Sequence, residues 1–255
     1  FDSTINAALH TLSDVESAEK NPGGTVAPAL SDASRRALRE LRSVDGPAFD
    51  VKRTLGEGGM GIVHVAQQRS LGREVAIKTL KPEFAQEELI LKVLQEAWVT
   101  GRLEHPNVVP VYDIVVDAEG RPQIVLKKID GQPWDQLMHS ETDVRKKFRA
   151  GDLLDWNLQI VIEICQAVRF AHARGFVHRD LKPENVMVGE FGEVYVLDWG
   201  IAVAVEDDGS GRFPLARDAV HMAGTPCYMA PEQLGGEQSL ITERTDVYLI
   251  GAMLY

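Results

Sequence analysis

The sequence predicts an α+β fold in which a five-stranded antiparallel sheet with one helix precedes a mainly helical part. Short segments rich in β-branched residues alternate with turn residues between Phe49 and Leu80. A helical period follows them, and a longer one dominates the second half of the chain. The composition agrees, because 44% apolar and 25% charged residues over 255 positions are typical of one or two globular domains.

The sheet is predicted from five segments that turn residues or a helix separate. Their bounds are 49–55, 61–67, 74–80, 108–116 and 123–129. The helix between the third and fourth strands is predicted over 82–103. We expect one buried stripe on it, formed by Leu91, Leu94, Trp98 and Arg102.

One long helix is predicted in the second half, over 152–174, and Gly175 follows it as a stop signal. Shorter apolar pieces at 176–177, 186–188 and 194–197 predict strands that end in polar loops. The segment 133–150 is mixed and charged, and no single element is predicted there.

The first 46 residues are rich in Ala, Ser, Asp and Gly and have no sustained apolar pattern. We therefore expect a disordered or linker tail over 1–46 and a folded domain over 47–255. One short helix is expected at 31–42, either solvated or docked. The chain begins at Phe1 without a leader pattern, which we interpret as a cut end.

Charge and cysteine content exclude several function classes. The 27 Lys and Arg against 38 Asp and Glu give a net charge of −11, which disfavours nucleic acid and anionic membrane surfaces as partners. Cys165 and Cys227 form no C-x-x-C pair, so neither a zinc cluster nor a disulfide framework is predicted, and a reducing, cytoplasmic compartment fits best. No apolar run reaches the roughly 20 residues of a membrane helix.

Residues 56–61 form the pattern G-x-G-x-x-G, which is a weak signal on its own. Because Gly61 opens an alternating strand and not a helix, a dinucleotide-binding fold is disfavoured. Glycines in a strand-loop-strand let the backbone approach a phosphate, and Lys78 on the adjacent strand is placed to neutralise it. A buried Lys78 requires a carboxylate, for which Glu96 is the candidate, whereas a surface lysine is the alternative.

The densest polar stretch is HRDLKPEN, residues 178–185, and apolar neighbours anchor it at both ends. Phosphoryl transfer needs a carboxylate that takes a proton, a cation near the moving phosphate and oxygen ligands for a metal. Candidates for all three lie close together in the sequence, with one further carboxylate after the next strand: Asp180, Lys182, Asn185 and Asp198.

Five motifs in order make the sequence resemble a eukaryotic-type (Hanks-type) protein kinase, and its details resemble the bacterial serine/threonine kinases. The resemblance covers about 49–255 and implies a bilobal fold, with a small lobe over about 47–129 and a large lobe over 130–255. The motifs are GEGGMGIV (56–63), VAIK (75–78), HRDLKPEN (178–185), DWG (198–200) and APE (230–232).

The resemblance implies transfer of the γ-phosphate of ATP, with magnesium, to Ser or Thr of a protein substrate. Asp180 is the implied base, Lys182 stabilises the transferred group, and Asn185 and Asp198 bind magnesium. The remaining matched positions form the implied nucleotide site: Leu55, Gly56, Gly58, Gly61, Val63, Ala76, Lys78, Glu96, Leu126, Lys127 and Ile129. Lys182 and Thr225 favour Ser/Thr over Tyr specificity, and the resemblance implies that Thr225 contacts Asp180 and Lys182.

The sequence departs from the family pattern in its hinge and metal motif. Trp199 replaces the usual phenylalanine, and Lys127 and Lys128 follow the gatekeeper Leu126 where acidic and aromatic residues are common. We expect Trp199 to preserve activity and the lysines to alter selectivity more than binding.

The sequence also ends inside the segment that resembles the central large-lobe helix. We expect Thr245 to cap this helix and Asp246 to brace the catalytic loop. We further expect the later large-lobe helices to be missing and the apolar side chains of this helix to lack partners: Leu249, Ile250 and Met253.

Regulation by the activation segment is implied by Arg179, a buried cation in such kinases that pairs with a phosphate. Ser210 is the candidate self-phosphorylation site. There are two alternatives to phosphorylation. The acidic run at 206–208 could act as a built-in anion, or the loop could be flexible and need no phosphate.

Two other functions stay open. A pseudokinase or nucleotide-binding scaffold is favoured by the missing large-lobe helices and the unusual hinge, although no catalytic position is lost. A small-molecule phosphotransferase shares the chemistry but fits the segments 224–226 and 230–232 less well. The expected partners are a protein with a Ser or Thr acceptor and a second copy of the chain for autophosphorylation, and anchoring to a membrane beyond Tyr255 is left open.

Overall fold

The computed structural model describes residues 48–59, 61–84, 86–219, 222–234 and 241–255. The predicted tail over 1–46 and its helix over 31–42 lie outside these residues. Phe49–Tyr255 form one compact unit. Within it, a sheet part with strands β1 to β5 and helix α1 precedes a helical part that contains all later elements, in the predicted order.

The sheet part contains five antiparallel strands in the spatial order β1-β2-β3-β5-β4. β4 is shorter than predicted because residue Val108 leaves this sheet and bridges to Val196 in the helical part. β5 ends at Lys127, two residues before the predicted end. The strands are β1 Phe49–Glu57, β2 Gly61–Gln68, β3 Arg73–Leu80, β4 Val111–Val116 and β5 Pro122–Lys127.

Helix α1 spans Glu87–Arg102, and a 3₁₀ turn at Pro82–Phe84 replaces the beginning of the predicted helix. The predicted buried stripe is wrong, since Leu91 is 46% exposed. The buried face carries Val93, Ala97 and Thr100, and Val93 and Ala97 pack with Leu80 and Ile124 of the sheet. This rotation leaves Glu96, one position before Ala97, facing β3.

The helical part has five helices among the described residues: α2 Trp134–Leu137, α3 Glu141–Phe148, α4 Leu153–Ala173, α5 Pro231–Leu234 and α6 Glu243–Leu254. The mixed segment 133–150 therefore forms α2 and α3. Asp152 caps α4, because its side chain accepts the Asp155 N–H at 2.9 Å. Gly175 has a φ of 77° and follows α4, as the stop signal predicts.

Five short strands complete the helical part: β6 Gly131–Pro133, β7 Phe176–Val177, β8 Val186–Gly189, β9 Val194–Val196 and β10 Val203–Ala204. They form a three-stranded sheet, β6-β8-β9, and a pair, β10-β7. Because β7 precedes residue 178 and β9 precedes residue 198, these sheets bring two polar loops together. His178 and the carbonyl of Leu197 are joined by a 3.0 Å hydrogen bond.

Helix α6 corrects two predictions. Its N-cap is Thr242 and not Thr245, since the Thr242 hydroxyl accepts the Arg244 N–H at 3.3 Å and Thr245 completes a reciprocal capping box. The expectation of missing partners is also wrong, because Leu249 and Met253 are buried in the main core and Ile250 packs against it. Packing of α6 on α4 and β7 provides these contacts.

The main core lies in the helical part and is built around α4, with the small sheets and α6 against it. A separate apolar layer in the sheet part joins α1 to β3, β4 and β5. None of the helices in the described ranges combines the length and the apolar character that crossing a membrane requires.

Candidate active site

A cleft of about 340 Å³ lies between the sheet part and the helical part. Eleven of the predicted site residues line it, from both parts: Leu55, Gly56, Val63, Ala76, Lys78, Glu96, Leu126, Lys127, Ile129, Asn185 and Asp198. The remaining predicted residues, Gly58, Gly61, Asp180 and Lys182, do not line the cleft itself.

The glycine loop connects β1 to β2 at one end of the cleft. The Gly58 N–H donates to the Gly61 carbonyl at 2.9 Å and so narrows the loop. A Cβ atom at Gly61 would lie 3.0 Å from the Thr79 carbonyl oxygen, so close packing of β2 on β3 favours glycine there. The expected contact of Gly58 and Gly61 with phosphates stays a prediction.

Seven lining residues were absent from the prediction: Ala97, Thr100, Val109, Val111, Ile124, Met187 and Leu197. Two of them had an available signal, because Leu197 directly precedes Asp198 and Met187 lies two positions after Asn185. The others are small or apolar residues in strands, a helix and a loop, where the sequence pattern does not distinguish a cleft wall from ordinary core.

Lys78 lies in the middle of the main sheet, opposite Val63 in β2 and Ile124 in β5. Its ammonium donates to Glu96 Oε1 at 2.6 Å and lies 3.7 Å from Asp198 Oδ1. The alternative of a surface lysine is therefore wrong. This contact forms only if α1 turns Glu96 toward the sheet. The packing of Val93 and Ala97 against the sheet fixes α1 in that orientation.

The charges of this group stabilise one another. Burial acts to lower the pKa of Lys78, but Glu96 and Asp198 outweigh it and hold the pKa above its usual value. Burial acts to raise the pKa of Asp198, yet the Lys78 ammonium is the first of several groups that hold it below the usual value. Burial also raises the pKa of Glu96, against the pull of Lys78. The ammonium and the Asp198 carboxylate therefore stay charged at neutral pH.

Asp180 is oriented by three donors. Its Oδ1 accepts the Thr225 hydroxyl at 2.8 Å, and its Oδ2 accepts the Asn185 amide at 3.1 Å and lies 3.1 Å from the Lys182 ammonium. Lys182 also donates to the Thr225 hydroxyl at 2.6 Å. The structure thus shows the predicted contact of Thr225 with both residues, and the carboxylate has one fixed orientation.

The loop that carries Asp180 is held by Asp246 from α6. The Asp246 carboxylate is fully buried and accepts the backbone N–H groups of His178 at 2.8 Å and Arg179 at 2.9 Å. His172 Nε2 lies 2.8 Å from the same carboxylate. Arg179 has a φ of 71°, an uncommon conformation that these bonds stabilise. The expected bracing contact of Asp246 is present.

Arg179 is buried, with 5% of its surface exposed, and burial lowers the pKa of its guanidinium. Its Nη1 donates to the Ile201 carbonyl at 3.3 Å, and its Nε has no partner among the described residues. The proposed built-in anion does not reach it, since Asp207 pairs with Arg217 and Asp208 with Arg102, each at 3.6 Å.

Trp199 fills the space behind the catalytic loop. It is 1% exposed, and its ring centroid lies 4.5 Å from that of His178. The larger aromatic side chain is therefore accommodated inside the core, while Asp198 keeps its contact with Lys78.

Asn185 and Asp198 both line the cleft and have side-chain oxygens suited to a divalent metal ion. The Asn185 amide nitrogen donates to the Asp180 carbonyl at 2.8 Å, which leaves its oxygen as a ligand. The Asp198 side chain is 51% exposed and has a carboxylate oxygen to offer. Within the described ranges no group of three or more His, Cys, Asp or Glu could hold a metal, and an oxygen-preferring ion with few protein ligands fits this set.

A cleft between a five-stranded sheet part and a helical part, with Lys78, Glu96 and Asp198 grouped in it, is the architecture expected of a protein kinase domain. Residues 49–255 match the protein kinase domain family, and the chain belongs to this family. The structure thus agrees with the resemblance that the five motifs indicate.

Bacterial proteins named as serine/threonine kinases are similar to the chain. A serine/threonine-protein kinase PknD of Protochlamydia amoebophila (strain UWE25) is 34% identical over 226 residues, which are 81% of this chain and 22% of the relative. A probable serine/threonine-protein kinase of Streptomyces coelicolor is 36% identical over 222 residues, 86% of this chain and 31% of the relative. The chain therefore spans between about a fifth and a third of these relatives' length.

Proposed function

We propose that the protein is an ATP-dependent protein serine/threonine kinase and that the cleft binds the nucleotide. One observation carries this proposal: Asn185 lines the cleft beside Asp198 and also donates to Asp180. The phosphate-neutralising end around Lys78 and the proton-accepting end around Asp180 are thereby parts of one connected site.

The proposed reaction moves the terminal phosphoryl group of ATP to a substrate hydroxyl. The bond between the γ-phosphorus and its bridging oxygen breaks, a bond to the substrate oxygen forms, and the hydroxyl proton passes to the Asp180 carboxylate. Thr225 and Asn185 hold that carboxylate in place. Lys182, 3.1 Å from Asp180, supplies positive charge where the transferred group passes.

The nucleotide's triphosphate adds negative charge to a chain of net charge −11. Lys78 and Lys182 make the cleft locally positive, and Lys78 is positioned by Glu96 at 2.6 Å. We propose magnesium as the divalent ion, held by Asn185 and Asp198; it would neutralise phosphate charge when bound.

The finer assignments follow from the same proposal. We propose 129/130, after β5, as the boundary between small and large lobe, and 47–255 as the catalytic domain, with residues 1–46 outside it. The substrate is a protein with a Ser or Thr acceptor, and a second copy of the chain is one such substrate. A cytoplasmic location is supported by the two free cysteines, Cys165 and Cys227.

The test is a phosphate-transfer assay with labelled ATP and magnesium. It uses the full-length protein that contains this chain. Asp180→Asn is expected to lower the transfer rate by about 10³-fold while nucleotide binding persists, because only the proton acceptor is lost. Lys78→Met is expected to lower it by about 10²-fold. Asp50→Asn, an exposed carboxylate in β1, is the matched control and keeps the wild-type rate.

The alternatives predict different results. A pseudokinase binds ATP without transfer in the wild type, and a small-molecule phosphotransferase transfers phosphate only when a small acceptor is added. A wild-type rate in Asp180→Asn contradicts the proposed role of that residue.

A further inference from the structure

Two consecutive lysines hold the end of β5 from opposite sides. Lys127 is the last residue of β5 and lines the cleft, and Lys128 follows it. Neighbouring side chains of an extended chain point in opposite directions. The two ammonium groups accordingly bind different parts of the molecule.

Lys128 fastens this segment to the sheet part. Its ammonium lies 2.9 Å from Glu74 Oε2 in β3 and 2.5 Å from Asp130 Oδ1, and only 13% of its side chain is exposed. The hydrogen bonds of Asp130 and Glu74 raise the pKa of Lys128, so the ammonium stays charged. We place the adenine base of the nucleotide at the end of the cleft that Leu126, Lys127 and Ile129 line, the adenine end. This end is therefore anchored to β3.

Lys127 joins the same segment to the helical part. Its ammonium donates to the Tyr195 hydroxyl at 2.5 Å and lies 4.7 Å from the centroid of that ring. The hydrogen bond with Tyr195 raises the pKa of Lys127. Tyr195 is 6% exposed and sits in the middle of β9. Hydrogen bonds with a charged donor are among the stronger ones in proteins.

Backbone contacts on both sides make this link rigid. The Lys127 N–H donates to the Pro110 carbonyl at 3.0 Å, and the Val196 N–H donates to the Asn107 carbonyl at 2.8 Å. Asn107 also donates its side-chain amide to the Val194 carbonyl at 3.0 Å. The Lys127 to Tyr195 bond thus bridges two backbone segments that are each already fixed.

We infer that Lys127 and Tyr195 form a brace that presets the distance between the two ends of the cleft. Leu126, Lys127 and Ile129 line the adenine end, and Asp198, three residues after Tyr195, lies at the phosphate end, near Lys78. A ligand that spans both ends binds more tightly when their separation is fixed in advance, because less order must be imposed on binding. Tyr195 is then a positioning residue, and it does not itself line the cleft.

This inference rests on the proposed nucleotide site, and the experiment separates the two. Calorimetry measures the affinity of the full chain for two ligands. Magnesium-ATP spans the cleft, and adenosine occupies the adenine end alone. Tyr195→Phe keeps the buried ring and removes the acceptor. This variant is expected to lower the affinity for magnesium-ATP about fivefold and to leave the affinity for adenosine unchanged. Tyr248→Phe, which removes a half-exposed hydroxyl from α6, changes neither affinity.

A second variant removes the other partner of the Lys127 to Tyr195 hydrogen bond and so tests the brace independently. Lys127→Met removes the ammonium but keeps an unbranched side chain, and adding Tyr195→Phe to it should weaken magnesium-ATP no further, since the bond is already lost. Three results would each overturn the brace and leave the kinase proposal intact. They are an equal loss of affinity for both ligands, unchanged affinities in Tyr195→Phe, and losses of affinity that multiply in the double variant. A wild-type chain that binds no magnesium-ATP overturns the proposed function, and the brace with it.

Discussion

Thr225 donates its hydroxyl to Asp180 at 2.8 Å, although 45 residues separate the two in the chain. The same hydroxyl accepts a hydrogen bond from Lys182 at 2.6 Å. Thr225 is therefore the bridge between the proposed proton acceptor and the proposed cation, and it ties the segment before α5 to the catalytic loop. The orientation of Asp180 depends on this segment being in place.

Replacing Thr225 by Val is expected to lower kcat at least about tenfold, because the hydrogen bonds with both Asp180 and Lys182 are lost and one such bond to a charged group has about a tenfold effect. Thr225→Ser keeps the hydroxyl and should restore most of the rate. Steady-state kinetics with labelled ATP measures both variants, and a serine variant as slow as the valine variant would show that the hydroxyl is not what matters.

Asp246→Asn is expected to destabilise the fold by about 2 to 4 kcal/mol. The side chain of Asn keeps one acceptor oxygen but presents N–H donors where the second oxygen was, so one of the backbone N–H groups of His178 and Arg179 loses its acceptor inside the protein. Chemical denaturation measures the free energy of unfolding. Asp155→Asn on the exposed side of α4 is the control, and equal stabilities of the two variants would contradict this account.

Ser210 is expected to become phosphorylated in the active enzyme. It is exposed and lies in the loop whose carboxylates pair with Arg102 and Arg217, so that Arg179 stays free of them. Mass spectrometry after incubation with ATP should find phosphate on Ser210, and Ser210→Ala should lower activity. Full activity of Ser210→Ala together with the absence of phosphate at this position would falsify the hypothesis.

His105 makes the stability depend on pH. Burial is the largest effect on its pKa and, with Arg169, lowers it against the pull of Glu163. The unfolded chain then binds the proton more readily, so the free energy of unfolding is highest above the usual value of 6.5 and falls as the pH drops through it. Denaturation curves at about pH 8 and about pH 5 should show a larger loss for the wild type than for His105→Gln. Parallel losses would exclude this histidine as the cause.

Much of the fold follows from local patterns in the sequence. The turn residues and the runs of β-branched residues predict β1, β2 and β3 to within two residues at each end, because both signals are local. The long helix α4 is predicted equally well, with Asp152 and Gly175 at its ends. The predicted site residues Lys78, Asp198 and Asn185 do meet at one cleft.

Other features depend on contacts between distant segments. The buried face of α1 is set by what it packs against, so that Val93 and Ala97 are buried where the pattern favours Leu91 and Leu94. The N-cap of α6 is Thr242, and Thr245, inside the helix, instead donates its hydroxyl to Glu232 of α5 at 2.7 Å. Leu249 and Met253 are buried because α4 and β7 lie beside them.

The sequence by itself determined the class of the protein, since phosphoryl-transfer chemistry needs particular side chains at short spacings and these spacings are local. Only the tertiary structure decided which distant groups meet. Asp246 accepts hydrogen bonds from the loop that carries Asp180, the acidic run pairs with Arg102 and Arg217, and Lys127 donates to Tyr195. A hydrogen bond between residues far apart in the chain depends on the packing of whole elements, and no local period encodes it.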